Sequence, residues 1–131
     1  MKLGKSSDTS GRSKVYEISN ELELIFPGLE EKYGYVDLEI FFVFRCLPGP
    51  LRRKAMRRYS KSENVLYIDF FFSEEDFSII SKDEQRDRIS GDFFSYLRNS
   101  LAMYKFKNLS VAQFMCDLCK ACEDIGWREG C

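Results

Sequence analysis

Histidine does not occur anywhere in the 131 residues. Its absence removes the commonest general base and the commonest metal ligand together, so Ser-His, Cys-His and His-metal chemistries are excluded. Other kinds of catalysis are not, but there is also no nucleophile elbow, P-loop or dinucleotide loop. No run approaches the ~18 apolar residues that a membrane helix requires, so no membrane partner is expected. The first residues, MKLGKSSDTSGRSK, lack the apolar region of a secretory signal. A net charge of −1 gives no global mandate for an acidic or basic partner. These absences lead to the expectation of a non-enzymatic protein without a cofactor, monomeric or weakly dimeric.

Aromatic residues, by contrast, are abundant, at 15% of the chain within 44% hydrophobic residues. Residues 1–14 are polar and read as a flexible N-terminal tail, leaving 15–131 as one domain. Between 15 and 33 the pattern is mixed. Val15, Ile18, Leu22 and Ile25 follow helical spacing, which favours a helix ending before Pro27-Gly28. In YVDLEIFFVFRCL, Val36, Leu38, Ile40, Phe42 and Phe44 alternate with Asp37, Glu39, Phe41, Val43 and Arg45, the period of a strand with one core face. VLYIDFFF repeats that alternation, with Leu66, Ile68, Phe70 and Phe72 inward. A turn at Lys61–Asn64 makes residues 55–60 the first strand of a hairpin. Helical stripes follow at Lys82–Tyr104 and, after the N-cap Ser110, from Val111 to Ile125, with Gly126 as terminator. The expected fold is α+β, with a small, mostly antiparallel sheet packed on one face by helices.

Five cysteines are present, three of them in CDLCKAC at Cys116, Cys119 and Cys122. An odd number, so crowded, does not read as a disulfide framework and suggests a reduced, cytoplasmic setting. At 100° per residue the three side chains fan across about 120° of the last helix, whereas zinc and iron–sulfur sites need four converging ligands. A redox C-x-x-C belongs at a helix N-terminus, and Cys116 lies about two turns in. Cys122 falls inside the apolar stripe, Cys119 on its shoulder and Cys116 near the polar side. The expectation is packing residues, with no metal.

Charge is strongly segregated. Residues 15–40 hold seven acids and one base, residues 45–61 seven bases and no acid, and residues 63–92 nine acids and three bases. The basic arm comprises Arg45, Arg52, Arg53, Lys54, Arg57, Arg58 and Lys61. It could hold phosphates; the plainer expectation is a solvated hairpin arm paired with acidic neighbours, with no nucleic-acid partner. The non-core strand face places Asp37, Glu39 and Asp69 among Phe41, Val43, Tyr67 and Phe71. SEEDF then adds Glu74, Glu75 and Asp76. Aromatic anchors ringed by carboxylates suit a basic protein partner. Alternatively the first helix covers this face and the acids are merely solvated. Carboxylate catalysis or cation binding is weaker, because Asp69 stands alone on its strand without a D-x-D-x-D-G loop.

The segment VLYIDFFFSEEDFSIISKDEQRDRISGDFFSYL, followed by the C-terminal helix, resembles the bacterial immunity proteins of polymorphic-toxin and contact-dependent growth-inhibition systems. The likeness runs over residues 35–127 and is one of size, aromatic core and strand–acidic turn–helix order. It implies a small cytoplasmic inhibitor that binds one cognate toxin domain, commonly a basic nuclease. The expected toxin-binding residues are Asp37, Glu39, Tyr67, Asp69, Phe71, Glu74, Glu75 and Asp76. The alternative is a nucleic-acid-associated protein using the arm at 45–61.

Overall fold

The computed structural model describes residues 1–8 and 14–129. Its strands are β1 (Lys2–Asp8), β2 (Glu39–Leu47), β3 (Ala55–Ser60) and β4 (Val65–Ser73). Its helices are α1 (Lys14–Asn20), α2 (Phe26–Lys32), α3 (Glu74–Ser78), α4 (Lys82–Tyr104) and α5 (Val111–Glu123), with a 3-10 turn at Glu21–Leu24.

The alternating residues behave as their period requires. Ile40, Phe42 and Phe44 on β2 stand beside Leu66, Ile68 and Phe70 on β4, all buried on one face. Phe93 of α4 and Trp127 complete that core, with ring centroids 5.0 Å from Phe42 to Phe93 and 5.4 Å from Phe93 to Trp127. The hairpin of β3 and β4 forms as predicted, its turn closed by Asn64 at a φ of 56°. Both long helices also match their sequence signals. Ser81 and Ser110 accept hydrogen bonds from the backbone N–H groups of Glu84 and Gln113, the capping geometry their positions favour.

The sheet itself differs from the expectation of a mostly antiparallel one. Its order is β1-β2-β4-β3, and both β1–β2 and β2–β4 are parallel; only β3–β4 is antiparallel. Parallel neighbours need a crossover connection. The helical segment 14–32 supplies one between β1 and β2, and residues 48–64, carrying β3, supply the other. The loop 48–54 therefore crosses the end of β4. It is pinned there by Glu75, which accepts the Gly49 N–H at 3.1 and 3.0 Å.

Two further expectations are corrected. Lys2–Asp8 is an edge strand rather than a flexible tail; residues 9–13 lie outside the described residues, as does Cys131. Its composition is poor in strand formers, but pairing with β2 and side-chain contacts to α1 hold it. Lys5 turns to the core side, where its ammonium donates to Asn20 and Ser19, and Ser7 shares a hydrogen bond with Ser19. At residue 27, proline starts a helix instead of following one. Pro27 sits in the first turn of α2, where its missing N–H has no intrahelical partner to lose.

All helices with sheet contacts pack on the core face. α1 and α2 lie over β1 and β2, and α4 lies over β3 and β4 and against both α1 and α5. Among the described residues no helix is long and apolar enough to cross a membrane.

Candidate functional site

Because the helices take one face, the opposite face of the sheet is left without a helical cover among the described residues. The strand registers arrange its side chains in rows. One row is Lys2, Glu39, Val65 and Ser60; the next Gly4, Phe41, Tyr67 and Arg58; the next Ser6, Val43, Asp69 and Met56. Arg45 and Phe71 follow in the last full row. The first helix packs with the core and does not cover this face.

The centre of the face is aromatic. Phe41 and Tyr67 meet edge to face at 6.3 Å. Phe41 leans over β1 at Gly4, where an added Cβ would lie 2.9 Å from the ring. The Arg58 guanidinium stacks on the other side of Tyr67, 4.4 Å from its centroid. The Tyr67 hydroxyl donates to Glu63, and partial burial together with the Glu63 carboxylate pushes this phenol above its ordinary range. Asp69 is paired with Arg45 at 3.5 Å.

The eight expected binding residues therefore fall in three places. Glu39, Tyr67, Asp69 and Phe71 are on the open face. Asp37 sits just before β2, lining with Glu39, Glu63 and Tyr35 a cavity of about 390 Å³ at the start of the parallel strands. Glu74, Glu75 and Asp76 form the first turn of α3, beyond the far end of β4. Glu75 is committed to the loop: the hydrogen bonds from Gly49 N–H and the Ser73 hydroxyl hold its carboxyl below the usual carboxylate range.

Gly4, Arg58, Met56 and Glu63 belong to the same face and were not among the expected residues. The hairpin register, readable from the turn at 61–64, places Met56 opposite Asp69 and Arg58 opposite Tyr67. The basic arm and the acidic face, weighed as separate candidates, thus meet at Arg45 and Arg58, while Arg57 turns to the helix side. Nothing in KLGKSSD marks Gly4 as part of the open face. The arm meets acids, as its plainer reading expects, at Arg45, which pairs with Asp69, and at Lys54, whose charge acts on Asp92; its other cations are mostly exposed. Arg52, Arg53, Lys54, Arg57, Arg58 and Lys61 take part in none of the ion pairs among the described residues.

The cysteines lie elsewhere. Cys122 is buried in the core, Cys119 is half-buried and Cys116 is exposed, as the helical stripe orders them. Burial pushes the Cys122 thiol up to about 12, and burial with the Glu129 contact pushes Cys119 up to about 11. Both are therefore un-ionised at neutral pH and poorly nucleophilic. No group of three or more metal-ligating side chains is assembled among the described residues.

No curated protein and no solved structure matches this chain. A protein family, Immunity protein 44, matches residues 1–124, from β1 to the end of α5. That span takes in every strand of the open face, and the chain belongs to the Immunity protein 44 family.

Proposed function

We propose that this protein binds a cognate toxin domain in the cytoplasm through the open face of its sheet and neutralises it without catalysis of its own. The observation that carries this reading is the helix-free face itself. It holds Phe41, Tyr67 and Phe71 half-buried on rigid strands, ringed by Glu39, Glu63, Asp69, Arg45 and Arg58. Aromatic anchors on a rigid support lose little conformational entropy on binding, and a charged rim sets register and association rate. The acidic end at Asp37, Glu39 and Glu63 suits a basic toxin domain such as a nuclease.

Co-expression with a candidate toxin domain, sought in the neighbouring genes, tests the proposal. A complex and rescue of growth are expected. Tyr67→Ala should weaken the complex by about 2 kcal/mol, mainly through faster dissociation. Absence of both complex and rescue would sink the reading. The exposed cations Arg52, Arg53 and Lys61 favour a second reading, phosphate binding to nucleic acid, which predicts affinity that falls steeply with salt.

A further inference from the structure

The sheet has an end that its own chain leaves open. β3 is the terminal strand on the side of β4. The hydrogen bond from Phe71 N–H to the Lys54 carbonyl sets the alternation of the ladder: Lys54, Met56, Arg58 and Ser60 turn their backbone groups to β4. The N–H and C=O groups of Ala55, Arg57 and Tyr59 consequently point away from the sheet.

The side chains around that edge are cationic. Arg58 projects from the open face and stacks on Tyr67. Arg57 projects from the helix face and lies 4.5 Å from the Tyr96 ring centroid, with one terminal nitrogen against the Met103 sulfur at 3.1 Å. Its Nε is buried and makes no hydrogen bond. Arg52, Arg53 and Lys54 precede the strand and Lys61 follows it, all exposed. Charged edges deter strand addition by neutral chains and by like-charged ones, a second copy of β3 included. They do not deter an acidic strand.

We propose that the edge of β3 accepts an extended acidic segment of a partner protein as a fifth strand. Main-chain hydrogen bonds would form at Ala55, Arg57 and Tyr59, and the partner's alternate carboxylates, which share one face of its strand, would meet Arg58 on the open-face side. This goes beyond the toxin-binding reading and does not depend on it, since the face and the edge are different surfaces of the sheet.

A short peptide alternating glutamate and valine tests the edge on the isolated protein by amide NMR shifts and hydrogen exchange. Slowed exchange at Ala55, Arg57 and Tyr59 is expected. Affinity should drop by about tenfold or more when the peptide is N-methylated at alternate residues, when lysine replaces glutamate, or in the Arg53→Glu, Arg58→Glu variant. Equal binding of the N-methylated peptide would leave charge attraction without strand addition and overturn the proposal. So would no binding, or displacement of the peptide by an oligothymidylate that binds more tightly, which would mark a nucleic-acid surface. Because the toxin is absent from these measurements, their failure leaves the toxin-binding reading standing.

Discussion

Glu21 accepts hydrogen bonds from Arg86 at 2.9 and 2.6 Å and from the Trp127 indole at 2.9 Å. One carboxylate so ties the 3-10 turn to α4 and to the segment after α5. Burial raises the carboxyl, but the bonds from Arg86 and Trp127 and the guanidinium charge outweigh it and leave Glu21 below its ordinary value of 4.5. A depressed carboxylate stabilises the fold above that ordinary value, and the contribution is lost as pH falls through the depressed one. Urea unfolding of Glu21→Gln should therefore show a deficit against the parent at neutral pH that narrows below about pH 4.5. A deficit constant down to acid unfolding would disprove the linkage. At Cys122, which has no exposed surface, alanine should cost about 1–2 kcal/mol through lost packing, while Cys116→Ala should stay within about 0.5 kcal/mol in the same assay.

β1 is the element that connects fold to site. Gly4 lets the Phe41 ring lie across it, so the aromatic centre of the open face depends on a residue without a side chain. Gly4→Val should force the ring aside and cost about 1–3 kcal/mol by thermal denaturation. Under the proposed function it should also weaken toxin binding at a temperature where the variant stays folded. An unchanged melting temperature would show that the ring has room to spare. The same strand marks the limit of what sequence reasoning reached. β2, β4, α4 and α5 announce themselves by period and capping, since each buries its own apolar stripe, and β3 by the turn that precedes β4. β1 buries Leu3 but turns Lys5 and Ser7 to the core side, where polar contacts with α1 replace apolar ones. No hydrophobic period records such contacts. Parallel pairing was equally hidden, because it depends on where the two connections return the chain. On the open face, Tyr67, Asp69 and Phe71 were legible from alternation on β4 alone, whereas Arg58 needed the hairpin register and Gly4 needed β1.

Across the whole molecule, the near-zero net charge conceals an electrostatic gradient along one surface. Asp37, Glu39 and Glu63 gather at the start of the parallel strands, and the arm's cations flank β3. Such a pattern orients an approaching charged partner more than it tightens the finished complex. Under the proposed function, reversing the acidic end with Asp37→Lys and Glu39→Lys should slow association with a basic toxin and flatten its salt dependence, with a smaller effect on dissociation, in stopped-flow measurements. Glu75 is the wrong place for this test. Its loss would free Gly49 and the loop that crosses β4, mixing a structural effect with an electrostatic one.

The crossover that carries β3 has a consequence in time. The central pair, β2 with β4, cannot form until residues 65–73 have been made, and β1 cannot gain its full support before residues 39–45 exist. Parallel pairings of this separation close large chain loops before any contact rewards them, which makes folding slower than that of a helical bundle of the same size. Under the proposed function, a chain interrupted before β4 has no open face to offer a toxin, since Tyr67, Asp69 and Phe71 arrive only with that strand.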